Sequence, residues 1–207
     1  MSKKFTFDPN HILSILTENL PFWVMDFLLR RHKDEHKRKF AGTIKGDWLN
    51  LIQQVLFMLK YDMTYVLYPY NDDFYKLIDK EFAKTTDLQQ FSLYNNFKLP
   101  WPEMPKVITQ QYWGPYLWHI MHCISIVIQD TPYTERFARL VYLLNNIMLC
   151  GDCIHHFESM DRVAIYKDVV TNPVMALYHL HSEVNAFKGT TFTLEDFKTK
   201  YGLTERP

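Results

Sequence analysis

Apolar residues spaced three and four apart dominate this 207-residue chain, and alternating apolar-polar runs are scarce. That spacing puts one face of a helix against a core, whereas a half-buried strand needs alternation. Only six glycines occur, which also argues against a sheet of tight turns. The pattern predicts an all-α fold with a helical bundle in the second half. With 47% hydrophobic and 16% aromatic residues, the chain has apolar surface enough to bury a real core.

Helices are expected over 10–31, with a break before Pro21, and over 47–65, with Asp47 as its N-cap. Shorter ones are expected over 72–84 and 87–97. Pro100, Pro102 and Pro105 then fall within six residues, which no helix tolerates. We place a boundary there, between an N-terminal helical domain (1–99) and a C-terminal domain (100–207). Beyond it, helices are expected over 114–128, 133–149, 153–163, 173–187 and 193–201. Thr193 and Asp196 have the spacing of a capping box.

Composition narrows the function. Formal net charge is zero, and the basic run from Arg30 to Lys39 is broken by Asp34 and Glu35, so no nucleic-acid partner is expected. The most apolar stretch, LNLIQQVLFMLKYDMTYVLY, is interrupted by Gln53, Gln54, Lys60 and Asp62, so no membrane span is expected. The first residues lack a continuous apolar region and a cleavage site, which predicts no secretory signal peptide and synthesis in the cytosol. Three cysteines cannot staple a fold of this size.

Two of those cysteines stand together in LCGDCIHHFESM as Cys150 and Cys153. A helix starting here would aim its N–H groups and positive dipole end at the sulfurs, which lowers a thiol pKa, although Asp152 is an anion close by. Gly151 would allow a strained turn and Asp152 would cap. Three uses of the pair compete. They can be buried thiols without chemistry. They can bind zinc with His155 and His156, in a helical adaptor or structural protein. All four ligands would then fall within seven residues, on adjacent histidines pointing about 100° apart. Or they can cycle between dithiol and disulfide. A thioredoxin-like setting for that would need a strand upstream, whereas 137–149 has helical spacing.

Upstream lies W-G-P-Y-L-W-H-I-M-H, with Gly114, Trp118 and His122 four apart on one helical face. Downstream lies H-L-H-S-E-V-N, with His181, Val184 and Asn185. In this order around a central C-x-x-C, the residues resemble the Erv/ALR family of FAD-dependent sulfhydryl oxidases over roughly 110–190. That family's pattern is G-x-x-x-W-x-x-x-H, C-x-x-C, then H-N-x-V-N. The resemblance implies a four-helix bundle holding FAD, with the cysteine pair at its mouth. By that resemblance, Gly114 permits close approach of the cofactor, Trp118 packs on the adenine and His122 lies beside it. His181, Val184 and Asn185 would hold the adenine and ribose side. Cys153 would pass electrons to the flavin, and Cys150 would be the outer cysteine, open to substrate thiols. His156, one turn after Cys153, would face the cofactor. The activity implied is oxidation of protein thiols to disulfides, with oxygen as the final acceptor and hydrogen peroxide as product. A homodimer is implied as well. The chain departs from the pattern at Pro115, where arginine is common, at Ser182, and at Thr190 and Thr191, where Lys-Pro is common. Lys188 stands in for the lost cation. With the N-terminal extension, these departures resemble the longer members from large DNA viruses of insects. That placement implies action in host cytoplasm or nucleus, or in virions.

Overall fold

The computed structural model describes residues 4–23, 35–61, 110–148 and 150–207. The expected helices over 72–84 and 87–97, and the proline-rich boundary, lie outside the described residues. The described residues form eight α-helices, a short 3-10 turn and one pair of two-residue strands, so the fold is all-α.

The helix α1 (Pro9–Trp23) runs through Pro21, so the expected break is not there. Proline forfeits one helical hydrogen bond, but Leu20 and Trp23 beside it are completely buried and hold the helix across it. The helix α2 (Glu35–Tyr61) starts well before Asp47, which is therefore no N-cap. Asp47 instead faces Arg136, 3.6 Å away. Ile44, Trp48, Leu51, Ile52 and Val55 continue one buried stripe on both sides of it, and that stripe outweighs a local start signal.

Next comes α3 (Gln110–Ile128), then α4 (Thr134–Tyr142). The long helix expected over 133–149 ends early. A 3-10 turn, Leu144–Asn146, follows α4, with the Asn146 amide bonded to the Leu143 carbonyl at 3.0 Å and that of Asn145 to Glu158 at 2.8 Å. These side chains offer the backbone an alternative to the helix. The short α5 (Gly151–Ser159) carries the cysteine pair. Asp161 caps a helix absent from the sequence reading, α6 (Arg162–Thr171), by accepting from the amides of Val163 and Ala164. The expected helix over 153–163 therefore splits at Met160–Asp161. By contrast α7 (Pro173–Phe187) has the expected bounds, set by the Asn172 cap and Pro173 at its first position. Likewise α8 (Leu194–Tyr201) begins at the expected capping box of Thr193 and Asp196.

In the bundle, α3 packs on α7, α7 on α6, α6 on α4 and α4 on α3, closing a ring of four helices. The N-terminal helices are built onto this ring: α1 lies along α3, and α2 packs on α1, α3 and α4. Trp48 is 5.8 Å from Phe137 of α4, edge to face, and 6.2 Å from Trp23 of α1, ring centre to ring centre. One hydrophobic core therefore runs through both parts of the chain. Full burial of each Leu or Ile in it stabilises by roughly 1.5–3 kcal/mol. The ends of the described chain meet as well. Strands β1 (Phe5–Thr6) and β2 (Thr204–Glu205) pair antiparallel, and Lys4 and Arg206 both grip Asp130.

Candidate functional site

Cys150 is the N-cap of α5, in extended backbone, and its Sγ accepts the N–H of Cys153 at 3.3 Å. Capping by the cysteine itself displaces the role expected of Asp152. Gly151 is the first helical residue and is not strained; among the described glycines only Gly189 and Gly202 have positive φ. Both sulfurs are partly exposed thiols, whereas Cys123 is buried in the core. Burial pushes the Cys123 thiol far up. The Cys153 thiol is pushed up to about 12, first by burial, then by its hydrogen bond with Cys150 and the charges of Cys150 and Asp152; Lys188 pulls the other way. The helix start thus serves Cys150, whose sulfur receives the N–H, and the lowered thiol expected for the pair is not found at Cys153.

Cys153 opens into a hollow of about 170 Å³ lined mainly by apolar side chains, among them Trp113, Leu117, Leu144, Met148, Phe157 and Leu180. Val184 and His156 also line it, and His156 stacks on Phe187 at 4.0 Å between ring centres. A second hollow, of about 550 Å³, lies next to it and is more polar. His119, His181, Asn185, Thr190, Lys200 and Tyr201 contribute to its wall. The two hollows share Gly114, Trp118 and Lys188. Together they have the size and mixed lining of a small-molecule site.

The chemical division fits a flavin dinucleotide: a mainly apolar chamber beside Cys153, and a more polar one with two lysines next to it. Gly114 supports the same fit. A Cβ built there meets no protein atom within 4 Å, and its φ is not positive, so neither crowding nor backbone demands glycine. A side chain here would enter open space, and Gly114 borders both hollows.

Trp118 and His181 come from different helices and stack at 4.0 Å and 9°, so no ring fits between them and a ligand would lie against their outer faces. Behind them His122 is wholly buried, with its Nε2 2.9 Å from Nδ1 of His181, one nitrogen donating and the other accepting. Of the nine residues expected to hold a cofactor, His122 is the one lining neither hollow. It orients His181 instead. Its Nδ1 has no hydrogen-bond partner. Burial holds His122 well below the ordinary histidine range, helped by His181, His119 and Lys200. Burial with Lys200 lowers His119 to about 4, and burial with Lys200, His119 and Lys188 lowers His181 to about 3. At neutral pH the cluster is uncharged.

Among the departures from the pattern, Ser182 donates to the Phe192 carbonyl at 3.2 Å and lines neither hollow. Pro115 and Thr190 both line the larger one. His155 is exposed, and among the described residues no group of three or more His, Cys, Asp or Glu side chains could hold a metal ion. No described helix is long and apolar enough to cross a membrane. Sequence reasoning missed His119, Lys200 and Tyr201, all on the wall of the larger hollow, where His119 Nδ1 lies 3.1 Å from the Tyr201 hydroxyl. His119 follows Trp118 directly, which is a signal for it. The two residues of α8 sit in a segment with no recognisable chemistry.

No family profile and no solved structure matches the chain. It is 36% identical over 44 residues to Sulfhydryl oxidase 1 of Arabidopsis thaliana. The matched stretch is 21% of this chain and 8% of that protein, so the two share a short segment of similarity to a sulfhydryl oxidase, far less than either full length.

Proposed function

We propose that the protein is an FAD-dependent sulfhydryl oxidase that makes disulfide bonds in protein substrates. One observation carries this: Cys153 opens into a hollow that shares Gly114, Trp118 and Lys188 with an adjacent one walled by His181 and Asn185. The local likeness to a sulfhydryl oxidase supports it.

In the oxidised enzyme Cys150 and Cys153 form a disulfide. A substrate thiolate attacks Cys150 Sγ, forming a mixed disulfide and releasing Cys153 as the thiolate. Cys150 is the sulfur attacked because it lines neither hollow and stays partly exposed. A second substrate thiolate then attacks the substrate sulfur, completes the substrate disulfide and releases Cys150. The Cys153 N–H, already 3.3 Å from that sulfur, stabilises the charge it acquires. Lys188, beside Cys153, draws negative charge toward the inner sulfur. When bound, FAD supplies the electron chemistry, taking two electrons from the dithiol and delivering them to oxygen to give hydrogen peroxide. Its flavin end belongs in the apolar hollow and its adenine end near Trp118, His181 and Asn185. We extend the proposal to a homodimer acting in a compartment whose thiols are otherwise kept reduced, as expected for the longer viral members.

The purified protein should be yellow, and Cys153→Ala should keep its flavin while losing oxidation of dithiothreitol. A colourless wild-type protein that cannot be loaded with FAD, or a Cys153→Ala variant still turning over, would refute the proposal.

A further inference from the structure

Charge separates the two hollows. Lys188 follows α7 and Lys200 lies in the last turn of α8, and both line the larger hollow. No aspartate or glutamate is part of its wall. Among the described residues neither lysine is ion-paired, whereas Lys198, two positions from Lys200, lies 3.2 Å from Glu195 and 3.8 Å from Glu205. His119 and His181 on the same wall are neutral at pH 7, as burial lowers both. The hollow therefore holds two cations and no anion. Desolvation by the surrounding wall lowers the Lys200 ammonium below the ordinary lysine range, although the side chain reaches solvent. Both lysines are exposed at the mouth of the hollow, and an anion placed between them gains two charge-assisted contacts with no carboxylate on the wall to compete. The Thr190 hydroxyl and the Asn185 amide stand on the same wall, and the residue after Gly114 is Pro115, which has no charge to offer.

We infer that Lys188 and Lys200 form a two-cation clamp for the diphosphate of the cofactor, so that the C-terminal helix α8 is part of the dinucleotide site. The inference rests on the flavin dinucleotide reading above. It ties α8 to function through residues outside the motif segments. Contacts with two other helices fix α8 in position: the Lys200 carbonyl lies 3.1 Å from His11 Nε2 of α1, and Tyr201 bonds His119 of α3.

The test uses the full chain freed of flavin and three probes: FAD, riboflavin, which has no phosphate, and ADP, which has the diphosphate without the flavin ring. Lys200→Gln and Lys188→Gln should each weaken FAD and ADP roughly tenfold, the scale of one charge-assisted hydrogen bond, and leave riboflavin unchanged. Lys198→Gln should bind like wild type, Lys200→Arg should retain most affinity, and the loss should shrink with added salt. If wild type and both glutamine variants bind FAD equally, the clamp is wrong and the flavin reading stands. If ADP responds to the two lysines while neither FAD nor riboflavin binds, the clamp stands and the flavin reading falls. Equal loss of riboflavin and ADP in both variants would mean general damage to the fold and would overturn the inference. Both lysines are exposed, so both glutamine variants should fold.

Discussion

Cys153 keeps its proton because burial, the neighbouring sulfur and Asp152 together outweigh Lys188, leaving its thiol at about 12. Only a thiolate reacts, so the thiolate fraction at neutral pH is small and grows about tenfold per pH unit until the pKa is reached. We predict that reduction of bound flavin by the enzyme's own dithiol, followed anaerobically, accelerates with pH through the neutral range. Asp152→Asn removes an anion that raises this thiol, so it should speed that step a few-fold near neutrality; Asp152 is exposed and solvent screens it. A flat pH profile, or a slower Asp152→Asn enzyme, would contradict this electrostatic account. At this scale much of the site was legible. Gly114, Trp118 and His122 recur every four residues, so one helical face had to carry them, and the structure sets Trp118 against His181 from another helix. That His122 would retreat behind that pair was not readable, because spacing gives a face and not a depth. The thiol shift was misjudged for a related reason. The helix start was visible, but the burial of Cys153 comes from residues elsewhere in the chain.

The starts of α7 and α8 matched the sequence reading, whereas the helices expected to run through Asn145, Asn146 and Asp161 did not. Pro173 after Asn172, and the Thr193–Asp196 box, are punctuation contained in a few residues. The break after α4 and the capped start of α6 depend on Asn145, Asn146 and Asp161, side chains that are as easily accommodated on an exposed helical face. The box of α8 is open to measurement. Thr193→Ala removes the acceptor for the Asp196 N–H, at 3.1 Å, and should cost about 1 kcal/mol in a urea titration. Since α8 carries Lys200 and Tyr201, the same variant should also release flavin at lower urea. Gly202 ends α8 at φ 60°, a left-handed backbone that favours glycine, and a Cβ there would press on the ring of His11 at 3.3 Å.

At the level of the molecule, the two parts of the chain share a core. Trp48 touches Trp23 on one side and Phe137 on the other, binding α1, α2 and α4 into a single unit. Trp48→Ala should therefore cost about 3–5 kcal/mol, measured by denaturant unfolding, and should loosen the ring of four helices along with the N-terminal ones. A single cooperative transition, shifted as a whole, is the expected result. Two transitions, with only the first displaced, would show that the N-terminal helices unfold independently. The domain boundary that we place among the prolines at 100–105 would then separate units that also fold apart.

Periodicity was enough to determine that the chain is helical, because a helix writes its buried face into every third or fourth residue. Motif spacing likewise put Trp118 and His122 on one face of their helix; their meeting with the cysteine pair was implied by the family resemblance and not by spacing. Only the tertiary structure decided that two hollows lie side by side with Gly114 in both walls, and that Lys200 reaches in from α8. Burial and charge at a point in space are sums over residues distant in the chain, and no local pattern records such a sum.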